Sequence, residues 1–207
     1  MSALDSIFYI IVLILSVVMH EVAHGYAALY QGDKTAKLLG RLSPNPIRHL
    51  DPIGSVLVPL ILIFSGTGVV FGWARPVPVD DRNFKSRKRG MVIVALAGIF
   101  ANLVCALVFG FILRFAISSG SASIPFVSIL TTIVIVNLVL ALFNLMPIPP
   151  LDGSKVLFAL LSERFSNIRN FLERYALFVI IFFIIFVWPY VAPALFSIFR
   201  LITGISF

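Results

Sequence analysis

The sequence predicts an all-α polytopic membrane protein, with about four to six transmembrane or re-entrant helices and short β strands near the cytoplasmic face. Three observations predict it. Of the 207 residues, 60% are hydrophobic and the mean hydropathy is +1.06. Only 12% are charged, against about a quarter in soluble domains. Several apolar runs are long enough to cross a hydrocarbon core of ~30 Å. So many spans in so short a chain leave no room for a separate soluble domain. Residues 1–207 read as one integral-membrane domain.

The first run covers residues 5–30 and ends at Gln31-Gly32-Asp33. No basic region precedes it and no small-residue cleavage site follows, so it reads as a retained span and not a signal peptide. Next comes a basic stretch with Lys34, Lys37, Arg41 and Arg48. Its Pro44, Pro46 and Pro52 forbid one long helix; residues 36–42 suit a short strand. Residues 53–64 are apolar but too few to span, and Pro59 interrupts them. With Ser65-Gly66-Thr67-Gly68 behind them, they suit a re-entrant segment. Residues 73–79 alternate with prolines as an edge strand or loop would. Arg82, Lys85, Arg87, Lys88 and Arg89 form a basic cluster before the second span at 91–117.

A short uncharged turn, 118–123, leads to the third span at 124–145. Met146-Pro147-Ile148-Pro149-Pro150-Leu151-Asp152-Gly153 breaks that helix, and residues 154–161 suit a short one. Residues 163–174 are polar. Residues 175–187 span if they begin near Leu172. Trp188-Pro189-Tyr190 reads as an interfacial break, and 194–207 as a partial span or an interfacial helix. There is no internal repeat.

Charge placement orders these pieces. The stretches 32–52, 72–90 and 146–174 are basic or mixed, and the 118–123 turn carries no charge. The positive-inside rule puts the first three in the cytoplasm and the N-terminus outside. The net charge of +7 therefore reports orientation in a lipid bilayer. Basic residues interleaved with aromatics on a soluble face are missing, which argues against nucleic acid as a partner. Cys105, the only cysteine, sits in an apolar run and packs there; an internal disulfide is impossible.

Chemistry is concentrated in His20-Glu21-Val22-Ala23-His24, inside the first apolar run. Residues four apart lie on one helix face, so His20 and His24 can share a metal ion. Glu21 is rotated aside, where it can reach a metal-bound water as general base. The bland alternative is two buried, hydrogen-bonded histidines. It is weakened by depth, because ionisable groups inside a membrane are expensive and default to function. Two imidazoles leave a zinc ion one protein ligand short of the usual three. The remaining candidates are His49, Cys105 and the acidic residues, with Asp152 foremost. Asp152 follows a span that ends on the same side as His24, behind three prolines that keep the backbone extended. On composition alone a second reading stands equal to it, an N-cap for the helix beginning near Gly153.

His20-Glu21-Val22-Ala23-His24, joined to Asn144 and Pro147-Ile148-Pro149-Pro150-Leu151-Asp152-Gly153, resembles the site-2 protease family of intramembrane zinc metalloproteases. The resemblance is to its compact bacterial and archaeal subgroup without an inserted PDZ domain. The segments around Asn45-Pro46, His49-Leu50-Asp51-Pro52-Ile53-Gly54 and Gly72-Trp73-Ala74-Arg75-Pro76-Val77-Pro78-Val79 extend it to roughly residues 6–160. The resemblance implies one Zn²⁺ per chain held by His20, His24 and Asp152, with Glu21 as the base. It implies that Asn144 holds the substrate carbonyl or its oxyanion, and that Asn102 is a second substrate-binding asparagine. Ile99 stands where the family often has proline. His49 falls near the site without being a ligand.

The function so implied is hydrolysis of peptide bonds in membrane-spanning substrate proteins. It takes place in a multi-pass protein of the cell membrane with its active site toward the cytoplasm. A locally unwound substrate would pair with an edge strand at 72–79 or 36–42. The alternative is a metal-ion transporter or channel using the same ligands. That reading has no need of Glu21 and expects ionisable groups along several spans, whereas 91–117 and 124–144 contain only Arg114. A catalytically dead scaffold would show a broken motif, and a serine protease would show a serine–histidine pairing.

Overall fold

The structure is a computed structural model that describes residues 3–64, 74–120, 122–161 and 165–205. The expected Ser65-Gly66-Thr67-Gly68 turn and Trp73 lie outside those residues. Helix α1, Ala3–Gln31, ends at Gly32, whose φ of +112° turns the chain out of the helix. A single turn, α2 (Thr35–Leu38), follows. A 3₁₀ turn at Pro46–His49 and a π-helical turn at Pro52–Leu57 lead into α3, Val58–Phe64. After a 3₁₀ turn at Asp81–Asn83 comes α4, Arg87–Ser118, then α5, Ile124–Leu145. The chain closes with α6 (Asp152–Leu160), α7 (Ser166–Arg174), α8 (Ala176–Phe182), a π-helical turn at Phe183–Val187, and α9, Trp188–Thr203.

Among the described residues four stretches are long and apolar enough to cross a bilayer: Ser6–Gln31, Arg87–Ser118, Ile124–Leu145 and Ala176–Thr203. The protein is therefore an all-α, multi-pass membrane protein. Helix α4 is its axis and packs against α1, α5, α6 and α9. The largest buried cluster joins Ala106 and Leu113 of α4, Leu130, Val134 and Leu138 of α5, and Leu195, Phe199 and Ile202 of α9. Lipid is as apolar as these side chains, so close van der Waals fit, not escape from water, holds the helices together.

Two expectations are corrected. No strand forms among the described residues. Residues 35–39 satisfy themselves locally, Leu38 N donating to Lys34 O and Leu39 N to Thr35 O, and Gly40 at φ +64° turns the chain before a ladder can start. Residues 74–80 form no regular element, and Pro76 and Pro78 have no N–H to give. Three of the remaining donors are already committed: Arg75 N to His49 O, Val77 N to Glu21 and Asp80 N to Asp33. The second correction concerns the last span. Trp188-Pro189-Tyr190 does not interrupt it, because the π-helical turn at 183–187 ends where Pro189 enters the first turn of α9. A proline there removes a donor that needs no intrahelical partner.

Candidate metal centre

His20 and His24 stand one turn apart on α1, their rings edge-on with centroids 4.5 Å apart. Both are buried. Gly98 of α4 makes room for them. A Cβ on Gly98 would lie 2.6 Å from atoms of either imidazole, closer than carbon tolerates. Gly153 does the same for α6, since a side chain there would run into the carbonyl oxygens of Leu145 and Met146. That close approach folds the start of α6 back against the end of α5, where α6 packs on α4 and α5 and its Asp152 reaches the histidines.

Asp152 is the first residue of α6. Leu151 is the capping residue and makes no side-chain cap, so the N-cap reading of Asp152 does not describe this helix. Its Oδ2 lies 2.9 Å from His20 Nε2 and 3.0 Å from His24 Nε2, and the two Nε2 atoms are 2.9 Å apart. Its Oδ1 accepts from Lys155 Nζ at 2.8 Å. Burial pushes the Asp152 carboxyl up. The Lys155 ammonium beside Oδ1 pulls it the other way, toward the carboxylate.

The outer ring nitrogens settle what fills this triangle. His24 Nδ1 is 2.6 Å from the carbonyl of Val94. A carbonyl only accepts, so Nδ1 carries a proton, and in the neutral ring that binds a metal Nε2 keeps its lone pair. His20 Nδ1 is 2.5 Å from Asn102 Oδ1, and its Nε2 is bare for the same reason. With both rings neutral, two imidazoles and a carboxylate aim lone pairs at one point, the arrangement that a shared cation satisfies. Zinc bound at ~2.0–2.1 Å would set its ligands ~3.3 Å apart, which the triangle meets by opening a few tenths of an ångström. Two imidazoles and one carboxylate are a donor set of the catalytic zinc type, with a fourth position left for water. Among the described residues this is the one group of histidine, cysteine and acidic side chains close enough to hold a metal.

The other expected residues are placed as follows. Glu21, half-buried, follows His20 on α1, and its Oε2 accepts from Val77 N at 2.8 Å. Asn144, near the end of α5, donates to Leu140 O at 3.0 Å with one of its two amide hydrogens. Asn102 is fully buried behind His20, its Nδ2 donating to Asn137 Oδ1 at 2.9 Å. His49 is buried outside the triangle, with Nε2 2.7 Å from Ser43 O. Sequence reasoning passed over Asn137, Ser16 and Lys155. For Asn137 a signal existed: it is an amide within an apolar span, where unpaired polar groups are costly.

The site and fold define a class, a multi-pass membrane protein with a buried cluster of two histidines and a carboxylate able to hold a metal ion. Comparison narrows it. A sequence profile described as Peptidase family M50 matches residues 115–187. The protein named Putative zinc metalloprotease YwhC, from Bacillus subtilis, is 39% identical over 187 residues, covering 88% of this chain and 81% of that one. Putative zinc metalloprotease Rip2, from Mycolicibacterium smegmatis, is 32% identical over 141 residues, 68% of this chain and 52% of its own length. Zinc metalloprotease MJ0392, from Methanocaldococcus jannaschii, is 28% identical over 169 residues, 80% of this chain and 39% of its own. No solved structure matches. The chain belongs to peptidase family M50, the site-2 protease family of intramembrane zinc metalloproteases.

Proposed function

We propose that residues 1–207 form one membrane-embedded protease domain that hydrolyses peptide bonds of membrane-spanning proteins. In this reading His20, His24 and Asp152 hold the zinc and Glu21 is the general base. One observation carries it: three lone-pair atoms meet within 3.0 Å, with both histidine tautomers set by Nδ1 partners. Membership in the M50 family leaves the transporter alternative without support.

Zinc in this site supplies Lewis acidity and lowers the pKa of a bound water toward ~7. Glu21 takes the proton of the attacking water and hands it to the leaving amine. Asn144 keeps one amide hydrogen free of Leu140 O and directs it to the oxyanion. Asn102 acts from behind His20, since its amide oxygen faces the ring and its amide hydrogens are spent inside the protein; it does not reach substrate. A transmembrane substrate has its amides in internal hydrogen bonds and must unwind before attack.

The centre faces the cytoplasm. Gln31, at the end of α1, accepts from Lys85 N at 2.9 Å, which draws the 82–89 basic cluster to the end of α1 nearer His24. The positive-inside rule assigns that end to the cytoplasm, and the segment from 53 re-enters from it.

The test is cleavage of a model membrane-spanning peptide by purified protein. Chelator should stop it and zinc restore it. Glu21→Gln should abolish cleavage while keeping one zinc per chain; normal turnover by that variant would remove Glu21 from its role. Asn144→Ala should lower kcat by roughly 10²–10³-fold, the scale of one lost oxyanion donor. Orientation is read separately, by a cysteine placed at Lys85 that reacts only from the cytoplasmic side.

A further inference from the structure

Behind His20 the protein buries a second polar group of three side chains from three helices: Ser16 of α1, Asn102 of α4 and Asn137 of α5. Asn102 is 0% exposed, Asn137 1% and Ser16 6%. Polar side chains at this depth are costly, and a half-satisfied set would be worse than an apolar core. Here both amides are saturated. Asn137 Nδ2 donates to Ile133 O at 2.9 Å and to Ser16 Oγ at 3.0 Å. Asn137 Oδ1 accepts from Asn102 Nδ2 at 2.9 Å. The second Asn102 hydrogen points to Ser16 O at 3.4 Å, and Asn102 Oδ1 faces His20 Nδ1.

This chain has a direction. An amide can turn by 180° at almost no steric cost, exchanging its oxygen for its NH₂. The carbonyl of Ile133 cannot exchange; it accepts and nothing else. It therefore fixes the NH₂ of Asn137, which turns Oδ1 of Asn137 toward Asn102. That acceptor fixes the NH₂ of Asn102, which turns Oδ1 of Asn102 toward His20. Nδ1 of His20 must then carry the proton, and Nε2 is left bare toward the metal site. His24 reaches the same condition in one step, from the carbonyl of Val94.

We propose that Asn137 and Ser16 are positioning residues for the zinc centre: with Asn102 they form a buried amide relay that transmits the polarity of the Ile133 carbonyl to His20 and fixes its metal-binding tautomer. Without Asn137 only the long 3.4 Å contact to Ser16 O still holds the Asn102 NH₂, so the amide turns more readily to His20, which moves the imidazole proton to Nε2 and blocks the ligand. The proposal rests on the zinc reading above.

The test measures Zn²⁺ affinity by chelator competition and thermal stability of the metal-free protein, for wild type, Asn137→Leu, Ser16→Ala and Val134→Ala. Asn137→Leu should bind zinc ~10–100-fold more weakly, the scale of losing an outer-sphere partner. Ser16→Ala leaves Ile133 O in place and should lose roughly 2- to 10-fold, the scale of one net hydrogen bond. Val134, one turn from the relay in the apolar core, should lower the melting temperature on truncation and leave affinity alone. Wild-type affinity in Asn137→Leu, or an equal loss in Val134→Ala, overturns the relay. If Asn137→Leu does not fold, Ser16→Ala decides, and unchanged affinity overturns the proposal. A wild type that takes up no zinc overturns the metal reading, and the relay with it; that result is distinct from a zinc-binding wild type with indifferent variants.

Discussion

Two buried aspartates of this protein meet opposite surroundings. Asp33, just past α1, is fully buried and saturated: its Oδ1 accepts from Thr35 N, the Thr35 hydroxyl and Asn83 Nδ2, and its Oδ2 from Asp80 N. Every neighbour is a donor. Asp152 is buried too, yet its Oδ2 faces the nitrogens of two imidazoles whose Nδ1 atoms already hold protons toward other partners. A carboxylate that finds enough donors is finished, and its work is to tie the 80–83 turn to the end of α1. A carboxylate held against lone pairs is unfinished until a cation arrives. Depth alone does not distinguish the two residues; the chemistry of their neighbours does.

The contrast breaks first at Asp152. Asp152→Asn should fold and insert, lose zinc, and lower cleavage by roughly 10⁴-fold or more, the scale of removing one member of a catalytic unit. A folded Asp152→Asn protein with wild-type zinc content and turnover would make the two aspartates alike after all.

Asp33→Ala should do the reverse. It strands several donors, each worth ~1–3 kcal/mol when buried. A loss of ~2–4 kcal/mol in unfolding free energy is expected, with zinc affinity unchanged in whatever fraction remains folded. Denaturant titration beside metal analysis checks both halves.

Acid sharpens the contrast. Burial pushes the Asp33 carboxyl up, but its donors win and hold it below its ordinary 3.8. The unfolded state therefore binds this proton more readily than the folded one. The contribution is complete above about pH 4 and is lost as pH falls through the depressed folded value. The stability gap between wild type and Asp33→Asn should be constant from pH 5 to 8 and shrink below pH 4; a gap that grows on acidification contradicts the assignment.

The smallest effect is expected at Thr35→Val, which removes the hydroxyl donor and leaves the backbone N–H. A loss of about 1 kcal/mol is expected, with no change in metal content.

Much of this was legible in the residues. Apolar run lengths placed α1, α4 and α5, because a bilayer sets the length of a span and a helix satisfies its own backbone. The i, i+4 spacing put His20 and His24 on one face without any knowledge of the fold. What composition left undecided at Asp152 was a question about distance, and nothing local to residues 146–153 answers it. Gly153 against the carbonyls of Leu145 and Met146 and Gly98 against the imidazoles decided it, by letting α6 close on the end of α5 and α4 on α1. The strands expected at 36–42 and, over its described residues 74–79, at 72–79 failed for the complementary reason: strand pairing depends on which partner backbone is within reach, and here several N–H groups found a nearby carbonyl or Glu21 first. The relay behind His20 belongs to tertiary structure altogether. Ser16, Asn102 and Asn137 are dozens of residues apart, and each alone is only a polar residue in an apolar helix. Their directionality exists once three helices place one carbonyl, two amides and a hydroxyl within hydrogen-bond reach, because a hydrogen bond is decided by a few tenths of an ångström that no spacing in the chain encodes.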